Sequence, residues 1–307
     1  MRVRLIVNAV ATGVHGRILE AVGASLRGVS EVEVVMTEHS GHATELAAEV
    51  GEGAVVGLGG DGTYNEIANG IRPGVLMGVL PAGASSVFAR HMGFSTDPID
   101  AADELAAAIR AGSTRTVGLG VAGERMFTFA AGLGLDAEAT AIVDRVRHER
   151  PGNERPGDLR VLATALGVLR KEGFALHERM TMHTADGAAH RCSYVAVANQ
   201  HPYTFLGPLP VRAAPHADFE HGLDVVFTRE LRARDLWRLP VYGLIWPRHA
   251  GHGSRRVGYL HDLHRFTIEC DEPTAFQLDG EYVGHVDRVE FSYRADAIEV
   301  LIPPESV

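Results

Sequence analysis

The chain has a single lysine, Lys171, among 307 residues, and its other strongly basic side chains are arginines. That excludes a Walker A phosphate loop, the phosphate lysine of protein kinases and Schiff-base catalysis. Any phosphate must be held by backbone N–H groups, arginine or metal. Cysteine is almost as scarce. Cys192 and Cys270 lie far apart with no CxxC spacing, so neither a disulfide framework nor a zinc site is implied. Cys270, in the strand-like run FTIEC, is expected to be a core thiol. No apolar run approaches the ~20 residues that span a bilayer, and the run in MRVRLIVNAV is too short for a signal peptide. These absences predict a soluble, cytoplasmic protein, with peripheral contact at the inner face of a membrane left open. Positive charge is also in deficit. Against 29 Lys and Arg stand 39 Asp and Glu, and a net charge of −10 argues against nucleic acid as a partner.

Apolar residues are plentiful, at 46%, and at this length they suffice for two domains with separate cores. Up to about residue 115, apolar runs alternate with helical patterns. Strands are expected at 3–9, 31–36, 54–58 and 75–81, and helices at 15–27, 42–50, 64–70, 85–91 and 98–111. Such alternation builds right-handed βαβ units on a parallel sheet, where ligands sit beyond the carboxyl ends of the strands. Beyond that point come hairpin-like strands with turn glycines, then short alternating runs such as RCSYVAVAN, LDVVFTRE, RVEFSYR and AIEVLIP. Helices are expected at 136–148, 157–171 and 233–246. The fold class is therefore α/β, with a parallel-sheet domain over 1–118 and a β-rich domain from 119.

Residues 55–66, VVGLGGDGTYNE, carry the most chemistry. A buried strand runs into a glycine turn and at once into a helix. Glycines let a ligand approach backbone N–H groups closely, and a helix start adds unpaired donors and a positive dipole end. Asp61 stands in this phosphate-type cradle, where a carboxylate needs a cation or a proton transfer to justify it. The plainer alternative is an aspartate that caps the helix. Further on, Asp279-Gly280-Glu281 reads by itself as a solvated acidic turn.

Several motifs occur together in a fixed order: an Asn turn from Asn8 to Gly13, Thr37 before HATELA, GGDGTYNEI at 59–67, LPAG and FAR within 80–90, FAAGLGLDAE at 129–138, VAVAN at 195–199 and LDGE at 278–281. In this combination the chain resembles the diacylglycerol kinase catalytic-domain family, which includes bacterial lipid kinases and sphingosine kinases. The resemblance implies an ATP-dependent lipid kinase acting on a free hydroxyl of a diacylglycerol-like or sphingoid-like lipid. It implies an N-terminal domain like that of NAD kinases and a sandwich-like second domain ending near 291. The last strand, about 292–307, would return to the first domain. Asn8, Gly13 and Thr37 would line the nucleotide pocket. Gly59, Gly60, Asp61, Gly62, Thr63 and Asn65 would hold the ATP phosphates and the Mg²⁺–water network; the hydroxyl to phosphate that Ala84 cannot give is expected from Ser85 or Ser86. Glu281 would be the general base, and Asp136 would lie near the lipid head group, with acyl chains between the domains. ATP and a membrane lipid are the implied partners, and a homodimer is left open.

The chain departs from the family pattern in places. Where Gly-Thr-x-Asn-Asp-Phe-Ala-Arg is usual, it has Gly83, Ala84, Ser85, Ser86, Val87, Phe88, Ala89 and Arg90. Gly118 stands near a usual aspartate, and Glu220-His221-Gly222 replaces an Asp-Asp-Gly associated with a structural Mg²⁺. Two other readings therefore stay in view: a relative that binds nucleotide or lipid with weakened catalysis, and a kinase of the NAD-kinase type. His261 and His264, at x₂ spacing, are expected to be solvated. Trp237 and Trp246 flank the helix expected at 233–246, as a buried or interfacial pair.

Overall fold

The computed structural model describes residues 1–9, 11, 16–83, 86–148, 167, 175–206, 209–232 and 257–304. Gly13, Ser85 and the segments expected as helices at 157–171 and 233–246, with both tryptophans, lie outside or almost wholly outside them. The chain divides into two compact units. Met1–Gly118 with Ala295–Val307 forms the first, and Leu119–Arg294 the second.

The first unit is built on parallel strands: β1 (Arg2–Val7), β2 (Glu31–Met36), β3 (Ala54–Gly59) and β4 (Leu76–Pro81). β1 pairs with β2 on one side and β3 on the other, and β3 pairs with β4. β3 is buried along its whole length, as its unbroken apolar sequence requires of a strand covered on both faces. β2 is the sheet edge and correspondingly exposed. Helices α1 (Gly16–Arg27), α2 (His42–Ala48), α3 (Asp61–Gly70), α4 (Val87–His91) and α5 (Pro98–Ala111) follow the strands. α1 packs against α5, and α2 against α3. The start and stop of α5 are written locally. Asp97 accepts from the N–H groups of Ile99 and Asp100, Pro98 opens the helix, and Gly112 ends it at φ +62°.

The second unit starts within β5 (Thr114–Ala122) and continues through β6 (Arg125–Phe127), β7 (Ala130–Leu133) and α6 (Leu135–His148). Then come β8 (Ala175–Leu176), β9 (Met180–Thr184), β10 (Ala189–Cys192), β11 (Tyr194–Ala198), β12 (Thr204–Leu206), β13 (Leu209–Val211), β14 (Leu223–Thr228), β15 (Leu231–Arg232), β16 (Val257–Leu263), β17 (Arg265–Leu278) and β18 (Glu281–Leu301). Pairing is antiparallel in the order β16-β14-β11-β7-β17-β18. β17 shifts register between Glu269 and Thr274, pairing with β9 before the shift and with β7 after it. The core gathers Phe127, Phe266, Phe276 and Phe291 with Met180, Met182 and Val225.

Two expectations need correction. The runs RVEFSYR and AIEVLIP are one strand, β18, whose first part pairs with β17 and whose Val300 pairs in parallel with Met77 of β4. The fully buried core thiol is Cys192; Cys270, on the same face of β17 as Phe266 and Ile268, is half-buried and packs against the margin of that core. Burial pushes the Cys192 thiol up to about 12.

Candidate functional site

In the first unit, β1 to β2 runs one way across the sheet and β3 lies on the other side of β1. The chain order therefore reverses between β1 and β3, where open α/β sheets leave a crevice beyond the strand ends. Asn8 and Gly59 stand at those two ends. Asn8 Nδ2 donates to Thr63 Oγ1 at 3.0 Å, and its backbone N–H donates to the Leu58 carbonyl. A Cβ on Gly59 would lie 2.5 Å from Thr63 Oγ1, so only glycine permits this contact. The turns after β3 and β4 also touch. Ala82 N–H donates to Gly59 O at 2.7 Å, and a Cβ on Gly83 would meet the Cα of Gly60 at 2.6 Å. Tyr64 is wholly buried beneath them, with its hydroxyl at 3.0 Å from Gly59 O and 2.7 Å from Leu80 O. Burial, then the Asp61 charge, hold this phenol well above its usual range, so it stays neutral.

Asp61 does not cap its own helix. It is the first residue of α3, and Gly60 before it offers no side-chain cap. Its buried carboxylate reaches α4 instead, accepting from Val87 N–H at 3.0 Å and Phe88 N–H at 2.9 Å. α3 accordingly begins three residues earlier than the sequence pattern suggests, and α4 two residues later. Ser86 precedes α4 at φ +43°, with its Oγ donating to Gly83 O at 3.3 Å. Asn65 is buried, and Asn69 Nδ2 donates to its backbone oxygen at 2.8 Å. Thr37, just beyond β2, is half-buried, and its N–H donates to Val7 O. The first unit thus brings Asn8, Gly59, Gly60, Asp61 and Thr63 onto one rim.

In the second unit, Asp279 at the β17–β18 turn is buried rather than solvated. Its carboxylate accepts from the N–H groups of Thr128, Phe129 and Ala130 and from the Thr128 hydroxyl, at 2.7–3.1 Å. Glu281, two residues on, is a different environment. Its side chain is 46% exposed and lies 3.6 Å from the Arg125 guanidinium. Asp136 sits in the first turn of α6, with its carboxylate against Gly132, where a Cβ would be 2.2 Å away. It accepts from Gln277 Nε2 at 3.1 Å, Tyr203 OH at 3.3 Å and Ala137 N–H at 2.7 Å. Burial of the carboxylate outweighs these bonds and pushes Asp136 up to about 6. The Asp136, Gln277 and Tyr203 cluster is invisible in sequence, because its members are 67 to 141 residues apart. Asp279 was more accessible to reading, since an aspartate before glycine suits the left-handed turn it adopts, at φ +49°.

A second polar cluster in this unit ties β14 to β16. Fully buried Asp224 accepts from the Tyr259 hydroxyl and Asp262 N–H, and pairs with His261 Nδ1 at 2.7 Å. His261 is thus anchored on a carboxylate, not simply solvated. Beside it, His221 Nδ1 lies 2.8 Å from Asp218.

Comparison with known proteins follows the same division. Residues 2–122 match the diacylglycerol kinase catalytic domain. Two curated relatives, both named only as candidate lipid kinases, align with part of the chain. A YegS-like protein of Chromohalobacter salexigens is 33% identical over 131 residues, and YtlR of Bacillus subtilis is 36% identical over 93. These alignments cover 39% and 28% of this chain and span 40% and 29% of the relatives' lengths. Over the whole chain, a crystal structure of a candidate diacylglycerol kinase from Bacillus anthracis str. Sterne superposes with a TM-score of 0.76 at 19% identity, covering 98% of that chain. At that identity the likeness speaks for the fold, a parallel α/β core followed by a β-rich part. The matched segment, residues 2–122, contains the whole rim described above. Among the described residues, no helix is long and apolar enough to cross a membrane.

Proposed function

We propose that this protein is an ATP- and Mg²⁺-dependent lipid kinase that phosphorylates a free hydroxyl of a diacylglycerol-like or sphingoid-like lipid. The observation that carries this reading is the rim where β1 and β3 end, with two glycine turns in backbone contact and the start of α3 without a side-chain cap. Backbone donors converging there suit the phosphates of a nucleotide in a chain with no phosphate lysine. Asn8 and Thr63 hold the two sides of the crevice at a fixed separation. Thr37 and Asn65 belong to the same proposed pocket.

Asp61 is best read as a positioning residue. Both its oxygens accept from the start of α4, so it fixes the turn around Gly83 against the turn around Gly60. One carboxylate already shared with two N–H groups is a poor cage on its own, whereas Mg²⁺ commonly keeps its waters and binds together with substrate phosphates. In such a complex the cation would supply neutralisation of phosphate charge. Asp61 would support it from behind the loop.

Glu281 is proposed to take the proton of the lipid hydroxyl as that oxygen bonds to the γ-phosphorus and ADP leaves. Its partial exposure leaves a carboxylate that substrate can reach, and Arg125 beside it restricts its orientation. Asp136, Tyr203 and Gln277 offer a compact set of polar groups for a lipid head group.

The departure at Val87 leaves the contact with Asp61 in place. Val87 is buried and meets Asp61 through its backbone N–H, which any residue but proline provides. The deciding experiment is transfer of ³²P from labelled ATP into micelles of diacylglycerol, monoacylglycerol, sphingosine, ceramide or phosphatidylglycerol, with NAD in solution as a separate acceptor. Wild type should label one lipid and Glu281→Gln should not. Label on NAD, or ATP binding with no labelled acceptor, would overturn the lipid-kinase reading.

A further inference from the structure

The loop after β2 and the first turn of α2 carry two histidines and a glutamate that no step above uses. His39, His42 and Glu45 bring one potential ligand atom each to within 4.8 Å of one another. His39 and Glu45 are exposed and His42 is half-buried, so the group opens to solvent. The imidazoles lie nearly parallel, with centroids 4.7 Å apart and planes at 14°.

The backbone beneath them is fixed. Glu66 of α3 accepts from Gly41 N–H at 2.8 Å and Ala43 N–H at 3.0 Å, clamping the start of α2. His42 N–H closes the turn on His39 O, and Gly41 takes φ +86°, a conformation that favours glycine. His39 Nδ1 lies 3.0 Å from Ser40 O, so it carries the proton and Nε2 keeps the lone pair that a metal requires. His42 Nδ1 accepts from Glu38 N–H at 3.0 Å. Ligation through that atom releases one exposed backbone bond, worth about 1 kcal/mol, to water.

We infer that His39, His42 and Glu45 form a binding site for a divalent transition metal, with Zn²⁺ its best match, separate from any cation bound with nucleotide phosphates. Two imidazoles and one carboxylate are the donor set of open zinc sites, with a fourth position left to water. Hard cations such as Mg²⁺ and Ca²⁺ prefer all-oxygen ligands and would bind weakly here. The site joins the loop after β2 to the first turn of α2. An occupied site therefore stiffens the segment that begins at Thr37.

Calorimetric titration of the metal-free full-length protein with Zn²⁺ and with Mg²⁺ tests this, together with the melting temperature at each metal concentration. One Zn²⁺ should bind at least about 100-fold tighter than Mg²⁺ and raise the melting temperature. His39→Ala and Glu45→Gln should each weaken Zn²⁺ binding at least about tenfold, while the metal-free melting temperature stays unchanged. His221→Ala, at the other histidine cluster, should leave Zn²⁺ affinity as it was. Unchanged affinity in the His39→Ala/Glu45→Gln double variant, or loss only in His221→Ala, would place the ion elsewhere and overturn the inference. So would the absence of a saturable Zn²⁺ site.

Discussion

Asp61→Asn separates the positioning role from direct action on the substrate. The asparagine keeps the shape and one acceptor oxygen but presents an NH₂ group where the second oxygen stood. One of the two N–H groups at the start of α4, Val87 or Phe88, then faces a donor in a buried place. Hydrogen bonds to a charged group contribute ~1.5–3 kcal/mol each, and a buried donor left unmatched costs ~1–3 kcal/mol. A loss of roughly 2–4 kcal/mol follows, since the remaining bond also loses its charge. At ~2–4 °C per kcal/mol, that is a melting temperature lower by about 5–15 °C. Differential scanning fluorimetry and the ³²P transfer assay should be run on the same preparation. The expected result is loss of stability and loss of turnover together, because the Gly60 and Gly83 turns are no longer held in register. A variant that melts within about 1 °C of wild type yet transfers no phosphate would refute this argument and make Asp61 a direct partner of metal or phosphate.

Other outcomes follow from the same geometry. Glu281→Gln should lower turnover ~10²–10⁴-fold in the phosphate-transfer assay while leaving the melting temperature within about 2 °C, since its side chain is half-exposed and its ion pair with Arg125 is at the surface. Gly83→Ala forces the turns apart, because its Cβ would lie 2.6 Å from a backbone atom that cannot rotate away. A destabilisation of ~1–3 kcal/mol in urea titration and weaker ATP binding are expected. Asp136 is raised from 3.8 to about 6, so between those values the unfolded chain releases a proton that the folded chain retains. Its contribution thus favours folding below pH ~4 and is progressively lost as pH rises towards ~6, by roughly 2–3 kcal/mol. Asp136→Asn should remove that slope from stability measured between pH 4 and 7, and an unchanged slope would assign it to another group.

The central strands β3 and β4 were legible because they are nearly unbroken apolar runs punctuated by glycine and proline, as two covered faces require, and the edge strand β2 because its residues alternate. Helix ends were less so. The expected start of α3 at Tyr64 followed hydrophobic periodicity, whereas Asp61, Gly62 and Thr63 are helical through the turn geometry and the partner that Asp61 finds in α4. The last strand was read as two pieces, because Arg294, Ala295 and Asp296 resemble a loop in isolation. Asp296 even takes φ +50°, yet pairing carries the strand past it. Contacts such as Gln277 with Asp136 depend on strand register and leave no local trace.

The two motif aspartates share a logic that neither motif displays. Asp61 in GGDGT and Asp279 in LDGE are both buried, and both spend their oxygens on consecutive backbone N–H groups of a distant segment. A carboxylate accepts several donors at once, so one residue can fix a turn that has no side chains of its own to pack. Glycine follows each aspartate, and the third residue of each triplet differs in kind: Thr63 is buried against Asn8, and Glu281 is half-exposed beside Arg125. The acid that draws attention in the sequence is therefore the anchor. If so, Asp279→Asn should resemble Asp61→Asn, losing stability and turnover together, while Glu281→Gln loses turnover alone. A stable, inactive Asp279→Asn would break the parallel and move the proposed base two residues upstream, from Glu281 to Asp279.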